Sequence, residues 1–507
     1  MKVKLFSILA LLLFGVTQGV EAQTQGVEAQ THVSKLKTRT ADAEKWTVSP
    51  NPAGEGATVT ATYTGRKKVM SVQAEKNPYT DLSMVDNAGN ERQSQWTANC
   101  YMVHTAGKYR LPLVYGNAIK NGEANTSAYT GTTYYKCTQT FPNHEGNAIN
   151  APWITKSPDG QGADRGMGIS VTDAELLWQD APGLVTKVGI KGDYLTLTVG
   201  KDATEQEGNA VVAAKTADGT IVWSWHIWVT RQTFAAADLT TISTGKRTYK
   251  LTPVNVGWVG DRVSAGYSPY YQWGRKDAFI PAGENKESNG GCGGGSIGMN
   301  LDAALSYSSN REVYNISGNT LTGITITTDN SATIADNIKH PTTFYYNNTK
   351  PNSFDLAAPH NQPFINLWDS KQYPGRSSGS TATNIATATT KTVYDPCPAG
   401  FCVPTSNLWN YMNGKKSGCT LDSTNVGMNY TSNTPELFFP LMGRRVNCAV
   451  DPIENHGKTV YFWSATGTFD SSFSLYGSEI LAIKSDRKNT FTTAQTFFGY
   501  PIRAVAE

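Results

Sequence analysis

The clearest alternation of apolar and polar residues lies between positions 209 and 229. Two runs rich in β-branched and aromatic residues, 209–215 and 221–229, flank a polar segment that contains Asp218-Gly219. An Asp-Gly pair between two such runs is typical of a β-hairpin, because glycine tolerates the positive φ that tight turns require. The pattern therefore predicts two antiparallel strands joined by a short turn at residues 216–220.

The second predicted strand has two distinct faces, since successive side chains of a strand point to opposite sides. The faces are Trp223, Trp225 and Ile227 on one side, and Ser224, His226 and Trp228 on the other. We expect the Trp225 face to be the buried core of a β-sandwich. A sugar-stacking platform is the alternative for the tryptophan row, and His226 is interpreted as a structural histidine.

Shorter patterns predict elements elsewhere. Residues 58–63 alternate and are β-branched, which is a strand signature. The turn residues Pro398-Ala399-Gly400 precede a short helix whose N-cap is Thr405 or Ser406. The apolar residues of this helix at helical spacing are Leu408, Trp409 and Met412. Short strands are predicted at 438–439, 461–463 and 502–505.

Changes in pattern divide the chain into segments. The prediction is a signal peptide at 1–22, a flexible leader at 23–45, a β-sandwich region at 46–232, a linker at 233–253 and a C-terminal domain at 254–507. The centre of the last domain, 282–390, is rich in Gly, Ser, Thr and Asn, which predicts long loops. Because the join is polar, we expect fragments 46–232 and 250–507 to fold separately.

The first residues carry the pattern of a secretory signal. Lys2 and Lys4 precede the apolar run 5–16, and small residues lead to Ala22. The heptapeptide 17–23 repeats at 24–30, so Ala29 is a second possible cleavage site. The run is shorter than the about 20 apolar residues of a membrane-spanning helix. We expect an exported mature chain without a spanning segment, at the cell surface or outer membrane, with the periplasm as the alternative.

Composition narrows the class of protein. The 507 residues include 44 basic and 41 acidic side chains, for a net charge of +3, which argues against a nucleic-acid partner. The hydrophobic fraction of 39% excludes a disordered chain. Seven cysteines leave at least one thiol without an intramolecular partner. The close pair Cys397 and Cys402 lacks the further ligands of a zinc site, so we expect no metal and no cofactor.

No local pattern nominates a catalytic residue. The nucleophile motif Gly-x-Ser-x-Gly and the zinc motif His-Glu-x-x-His are both missing from the sequence. Asp355, Asp369 and Glu436 are scattered and are interpreted as loop charges. The glycine-rich segment 289–296 lacks the Lys-Ser/Thr of a phosphate-binding loop and is interpreted as flexible. We therefore expect a protein that is not an enzyme.

Two ordered sets of motifs resemble known modules of exported bacterial proteins. Residues 97–103, 107–112, 207–210 and 223–228 resemble an immunoglobulin-like β-sandwich. The motifs Tyr271-Gln272-Trp273-Gly274-Arg275-Lys276-Asp277, 395–405, 439–444, 461–466 and 499–505 are similar to the Fibrobacter major paralogous domain, which is related in pattern to C-type-lectin-like folds. The resemblance implies a mainly β protein, with a β-sandwich followed by an α+β lectin-like domain.

The resemblance also has two departures. Cys402 stands where the family commonly has Arg, and Ala504 where it commonly has Cys. The resemblance implies that the usual partner of Cys397 is the cysteine at the position of Ala504. That partner is therefore absent from this chain. Cys397 is then free, or paired with Cys402, Cys419 or Cys448.

Binding is the leading functional hypothesis. The resemblance favours an exported surface adhesion or interaction protein, as an accessory or tip component of a fimbria-like assembly, with a surface glycan, a protein ligand or other fimbrial subunits as partners. The candidate binding residues lie in aromatic loop segments and are Tyr271, Trp273, Trp368 and Asp369. The alternatives are an outer-membrane or periplasmic glycan-binding protein and an enzyme on a lectin-like fold.

Overall fold

A computed structural model describes most of the chain after residue 42. The described ranges are 43–50, 57–63, 66–71, 79–131, 140–156, 166–263, 266–286, 307–327, 332–345, 366–371, 386–414, 418–430, 437–446, 452–470, 475–485 and 493–507. The predicted signal peptide, the glycine-rich segment 289–296, Asp355 and Glu436 lie outside these ranges. Within them, every helix is too short or too polar to cross a membrane.

The first three strands form a separate antiparallel sheet. They are β1 (Ala43–Pro50), β2 (Ala57–Tyr63) and β3 (Arg66–Ser71). Strand β2 lies in the middle and pairs with both neighbours. The strand predicted at 58–63 is therefore confirmed, and β1 begins inside the predicted leader.

The N-terminal region, defined here as residues 79–232, contains two four-stranded sheets. Its strands are β4 (Thr80–Asp81), β5 (Cys100–Val103), β6 (Gly107–Pro112), β7 (Ile119–Lys120), β8 (Glu123–Ala124), β9 (Asp173–Gln179), β10 (Val185–Lys191), β11 (Tyr194–Val199), β12 (Gly208–Lys215) and β13 (Ile221–Val229). The sheets have the orders β10-β11-β6-β4 and β5-β13-β12-β9, while β7 and β8 pair alone. A one-turn helix, α1 (Ala203–Gln206), precedes β12.

The predicted hairpin is confirmed. Strands β12 and β13 pair antiparallel, with Val212 opposite Trp225. The turn between them is closed by hydrogen bonds between Thr216 and Thr220, and Gly219 adopts a φ of +87°. A positive φ at Gly219 is the reason why the Asp-Gly pair predicts a turn, since glycine adopts it without steric cost.

The expected core position of Trp225 is also confirmed, but the opposite face of β13 is buried as well. Trp225 is 1% exposed, and His226 on the other face is 2% exposed. Residues after β13 cover that second face, where the Trp228 indole donates to the Trp258 carbonyl. Alternation along one strand shows that it has two faces, and only the rest of the fold decides whether both are covered.

The C-terminal region, defined here as residues 240–507, consists of many short strands. They are β14 (Thr240–Ser243), β15 (Thr248–Leu251), β16 (Tyr271–Gln272), β17 (Ala282–Lys286), β18 (Tyr307–Asn310), β19 (Thr325–Thr327), β20 (Thr343–Tyr345), β21 (Phe401–Cys402), β22 (Cys419–Asp422), β23 (Gly427–Tyr430), β24 (Leu437–Pro440), β25 (Arg444–Arg445), β26 (Ile453–Glu454), β27 (Thr459–Asp470), β28 (Leu475–Lys484), β29 (Thr493–Gln495), β30 (Gly499–Tyr500) and β31 (Val505–Ala506). Its helices are α2 (Ile334–Lys339) and α3 (Ser406–Gly414).

These strands form five sheets. Their orders are β14-β15-β31-β21, β16-β30-β25-β26-β18-β17, β19-β20, β22-β23-β24 and β27-β28-β29. Strands β14 and β15 fall inside the predicted linker, and β15 pairs with β31 at the end of the chain. Residues 240–251 are thus strands of the C-terminal region. The chain is mainly β, as predicted.

The predicted helix near residue 405 begins at Ser406. Leu408, Trp409 and Met412 are each fully buried in a cluster with side chains of β24, β27 and β28. Residues 438–439 and 461–463 lie in β24 and β27, whereas only Val505 of the predicted strand 502–505 is in a strand. The main hydrophobic cluster is larger and contains residues of both regions, from Leu82 to Ala504.

Candidate functional site

The four predicted binding residues lie in the interior. Tyr271, Trp273, Trp368 and Asp369 are exposed by 0%, 1%, 0% and 2%. The Trp273 and Trp368 ring centroids are 5.6 Å apart, and their indoles donate to the carbonyls of Ser464 and Arg275. The exposed stacking surface that the prediction required is therefore not formed by these rings, because both are buried.

Asp369 holds a turn. Its Oδ1 accepts hydrogen bonds from the backbone N–H groups of Lys371 and Thr390, at 3.2 and 2.9 Å. Burial raises the pKa of Asp369 to about 6, although these hydrogen bonds and the Lys371 charge act in the opposite direction. The interpretation of Asp369 as a solvated loop charge is wrong, since the carboxylate is buried.

Three buried arginines donate to backbone carbonyls: Arg275 and Arg503 belong to the family-like motifs, and Arg445 directly follows one of them. Arg275 donates to the carbonyls of Thr343, Asn337, His340 and Pro341, at the end of α2. Arg503 donates to the carbonyls of Thr252, Pro253 and Phe438, and Arg445 to that of Ile280. Burial lowers the pKa of Arg503 to about 9 and that of Arg445 to about 10. These guanidinium groups are paired with backbone carbonyls, as buried polar groups require.

A lysine plays the same part in the segment 391–403, here called the Lys391 turn. The Lys391 ammonium lies 3.2 Å from Asp395 Oδ1 and donates to the carbonyls of Cys397, Pro398 and Phe401 at 2.7, 3.0 and 2.5 Å. The Asp395 carboxylate accepts the N–H groups of Cys397 and Val403. Burial opposes the charge, but Asp395 and its neighbours outweigh burial and raise the pKa of Lys391.

The Lys391 turn is fastened to the N-terminal region by three asparagine side chains. Their bonds are Asn87 to the Ala399 carbonyl (2.6 Å), Asn99 to the carbonyls of Val393 (2.6 Å) and Asp395 (2.8 Å), and Asn117 to the Lys391 carbonyl (3.0 Å). Asn99 also accepts a hydrogen bond from the Trp223 indole. The contact between the two regions is thus polar as well as apolar, and each of the three amide groups donates to a carbonyl of the Lys391 turn.

A buried hydrogen-bond chain crosses the same boundary. Asn209 donates from Nδ2 to Asp180 Oδ2, so its Oδ1 accepts from His226 Nε2 at 2.8 Å. With its proton on Nε2, the His226 ring accepts at Nδ1 from the Tyr271 hydroxyl at 3.2 Å. Burial lowers the pKa of His226 to about 3, so the ring is neutral. His226 is structural, as interpreted from sequence, and Tyr271 is its partner.

A second buried cluster of polar and charged side chains was not found from the sequence. We call it the Lys276 cluster, comprising Ser224, Arg275, Lys276 and Asp277. Ser224 Oγ donates to Asp277 Oδ1 at 2.6 Å, and Lys276 Nζ donates to the same oxygen at 2.5 Å. Lys276 also donates to Ser224 Oγ and to its carbonyl, and lies 4.6 Å from the Trp223 ring centroid.

Burial dominates the chemistry of the Lys276 cluster. Its four side chains belong to residues that are between 1% and 5% exposed. Arg275 Nη2 is 3.7 Å from Asp277 Oδ2, on the side opposite the bonds to Oδ1. Burial lowers the pKa of Lys276, and the attraction of Asp277 offsets only part of that effect. The sequence signals for this cluster are the polar Ser224 in a mostly apolar strand and the adjacent charges at 275–277.

Four cysteines are free and buried, namely Cys100, Cys397, Cys402 and Cys419. Cys397 belongs to the main hydrophobic cluster and Cys402 to the cluster around α3, so the two do not form the pair considered above. Cys448 lies outside the described residues. Among the residues that the structure describes, no group of three or more His, Cys, Asp or Glu residues is placed to hold a metal ion.

Comparison with known proteins adds no relative. No protein-family model matches the chain, and no curated protein or solved structure matches it. A functional assignment must therefore be argued from the chain's own residues.

Proposed function

We propose that the chain is a non-enzymatic, exported surface protein that acts in adhesion or in binding to other surface components, as an accessory or tip component of a fimbria-like assembly. In this proposal, the N-terminal region is an immunoglobulin-like stalk or docking unit. The C-terminal region is a lectin-like head that contacts a surface glycan or protein. The signal-like pattern at residues 1–22 supports export.

The observation that carries this proposal is the construction of the boundary between the two regions. Asn87, Asn99 and Asn117 of the N-terminal region all donate to the Lys391 turn, and His226 bonds to Tyr271. Separating the regions would break these hydrogen bonds, each of which contributes about 0.5–1.5 kcal/mol after water has replaced the lost partner. A surface protein that holds a ligand under tension needs its binding part fixed to its support in this way.

The ligand surface of the head is assigned to the loop-rich sequence 282–390. The side chains of Tyr271, Trp273, Trp368 and Asp369 are buried, so their role in binding is indirect in the proposal. Replacing Trp368 by Ala would remove core packing and ligand binding together. A decisive experiment has to change loop sequence while the buried side chains remain.

The test uses the mature chain from residue 23 on a glycan array and on cultured host cells. One variant replaces residues 346–365 with a Gly/Ser segment of equal length, and a matched variant replaces 157–165 in the N-terminal region. We expect the first replacement to abolish binding and the second to preserve it, with thermal melts of both variants close to wild type.

Two results would change the assignment. Binding to isolated glycans without attachment to cells would favour the glycan-binding protein of nutrient capture over the adhesin. Loss of binding in the 157–165 variant, with the 346–365 variant unaffected, would place recognition in the N-terminal region and reverse the roles of head and stalk.

A further inference from the structure

The Lys276 cluster has a geometry that suits a covalent reaction. A hydroxyl oxygen, Ser224 Oγ, lies 2.6 Å from a carboxylate oxygen, Asp277 Oδ1, and both are shielded from solvent. An ammonium group, Lys276 Nζ, contacts both of these oxygens. The guanidinium group of Arg275 faces the other carboxylate oxygen. A nucleophile, an acyl group, a proton donor and a cation for developing negative charge are therefore held together.

We propose that Ser224 and Asp277 are the site of an intramolecular ester cross-link, which joins strand β13 to the segment that follows β16. The bond would tie the N-terminal region covalently to the C-terminal region at residues separated by more than fifty positions in sequence. This inference goes beyond the proposed adhesion function and does not depend on it.

The reaction balances without an added reagent. Ser224 Oγ attacks Asp277 Cγ, so that an Oγ–Cγ bond forms and the Cγ–Oδ1 bond breaks. Oδ1 leaves as water, taking one proton from the Ser224 hydroxyl and one from the Lys276 ammonium. The carboxylate loses its negative charge and Lys276 becomes a neutral amine, so the net charge is unchanged. Nothing is oxidised or reduced.

Each charged neighbour has a defined part in this step. Lys276 is 2.5 Å from the oxygen that leaves, which is hydrogen-bond distance for general acid catalysis. Arg275 is placed on the side of Oδ2, where negative charge accumulates in the tetrahedral intermediate, and such fixed cations lower the barrier in a dry site. Burial lowers the pKa of Lys276, which favours release of its proton.

Proximity and burial also favour the product. Groups held in reactive contact reach effective molarities of about 10⁵–10⁸ M, far above the concentration of bulk water that drives hydrolysis. The reaction removes a buried ion pair, whose desolvation costs several kcal/mol per ion. Since Ser224 and Asp277 are 1% and 5% exposed, water has little access to reverse the bond.

The Lys391 turn offers an internal contrast. Lys391 and Asp395 are also buried and in contact, but three carbonyls hold the Lys391 ammonium and both Asp395 oxygens accept backbone N–H groups. No hydroxyl donates to the Asp395 carboxylate among the described residues. We expect no cross-link there.

The experiment is mass spectrometry of the purified, reduced full-length mature chain. We expect an intact mass lower than the sequence mass by one water molecule. Trypsin should yield peptide 216–231 joined to peptide 277–286, and hydroxylamine under denaturing conditions should separate them, because it cleaves esters and not amides. A soluble wild-type chain with the full sequence mass and two separate peptides would overturn the proposal.

Variants identify the reacting groups. S224A should restore the full sequence mass, whereas the matched change S268A, at another fully buried serine, should keep the mass deficit. K276M should slow formation of the joined peptides about 100-fold or more, because proton transfer contributes about 10²–10⁴-fold. Joined peptides that persist in S224A, or that resist hydroxylamine in the wild type, would contradict an ester at Ser224. The wild-type measurements stand even if a variant folds poorly.

Discussion

Lys276 and Lys391 are buried to the same degree but have opposite chemical surroundings. The Lys391 side chain is 1% exposed and that of Lys276 is 2% exposed. Three carbonyls and a carboxylate surround Lys391, and the pKa of its ammonium is raised. Lys276 shares one carboxylate oxygen with a hydroxyl, has Arg275 nearby, and has a lowered pKa. Burial by itself does not decide the direction in which the pKa of a lysine shifts. The number of hydrogen-bond acceptors around the ammonium and the charges of its neighbours decide it.

The difference separates structural chemistry from reactive chemistry. Lys391 holds the turn by donating to three of its carbonyls and by pairing with Asp395, so its charge is used in these contacts. The charge of Lys276 is costly where it lies, and a proton leaves it more readily. Family-like motif residues occur in both places, so motif density in the sequence does not distinguish the two roles.

The largest expected effect comes from removing the Lys391 charge. K391M leaves Asp395 buried without its cation and three carbonyls without a donor. We expect a loss of about 3–5 kcal/mol in the free energy of unfolding, as for other broken buried pairs. Urea denaturation of the full chain measures it, and K187M, at an exposed lysine of β10, is the control. Equal midpoints for the two variants would show that Lys391 does not stabilise the turn.

A smaller loss is expected when the connection between the regions is cut at Asn99. N99A removes the donor to the Val393 and Asp395 carbonyls and the acceptor of the Trp223 indole. We expect about 1–3 kcal/mol of destabilisation. Because the main cluster contains both regions, unfolding should remain a single transition when followed by tryptophan fluorescence and by circular dichroism. Two separate transitions in the wild type would instead support the independent fragments expected from the sequence.

K276M is expected to cost less than K391M. In a chain without the cross-link, Asp277 keeps its contact with Arg275 when Lys276 is replaced, and the lost charge was already disfavoured by burial. A loss of about 1–3 kcal/mol in the free energy of unfolding is expected from the same urea experiment when K276M is added to S224A, a background in which no ester can form. A loss that exceeds the one in K391M would remove the distinction between the two lysines.

Raising the pH should change the contributions of the two lysines to the free energy of unfolding in opposite directions. The folded pKa of Lys391 is above the ordinary 10.5, so its stabilisation is complete below that value and is lost as pH rises through the folded pKa. The folded pKa of Lys276 is below 10.5, so the folded state gains stability as pH rises through it, until the unfolded chain also deprotonates. Esterification of Asp277 would lower the pKa of Lys276 further, so the folded state would still gain stability as the pH rises.

The measurement compares each methionine variant with wild type by urea denaturation between about pH 8 and 11. The stability gap between wild type and K391M should narrow at the alkaline end. For K276M, wild type should gain relative to the variant as pH rises. The same trend in both variants would contradict the assigned surroundings.

The smallest effect is expected at an exposed pair. Lys215 lies 2.9 Å from Glu175, with side chains exposed by 20% and 49%. Surface pairs of this kind contribute about 0–1 kcal/mol, because water and salt screen them. K215M should therefore unfold within about 1 kcal/mol of wild type in the urea experiment. A larger loss would mean that burial and the number of hydrogen-bond partners do not explain why the buried lysine variants lose more stability.

Local patterns in the sequence predicted several elements correctly. The Asp-Gly hairpin, the strand at 58–63, the burial of Trp225 and the helix with Leu408, Trp409 and Met412 are all present. Each depends on neighbours within about ten positions, namely turn chemistry or the spacing of apolar residues. The mainly β class follows from the same local information.

The candidate site was harder to predict, and the reason is geometric. An aromatic residue in a loop-rich sequence is equally compatible with an exposed ring and with a buried one, and Trp273 and Trp368 proved to be buried. Ser224 and Asp277 come together only because the C-terminal region covers the second face of β13. No periodicity encodes a contact between such distant positions.

The amino-acid sequence by itself determined which segments form strands, turns and helices, because those choices depend on backbone conformation and on the alternation of nearby side chains. Only the tertiary structure decided which charged side chains hold backbone carbonyls in place and which form the Lys276 cluster. The physical reason is that desolvation and hydrogen bonding depend on every group packed within a few ångströms. For Lys276 and Lys391 those groups come from distant parts of the chain or from the particular path of a turn.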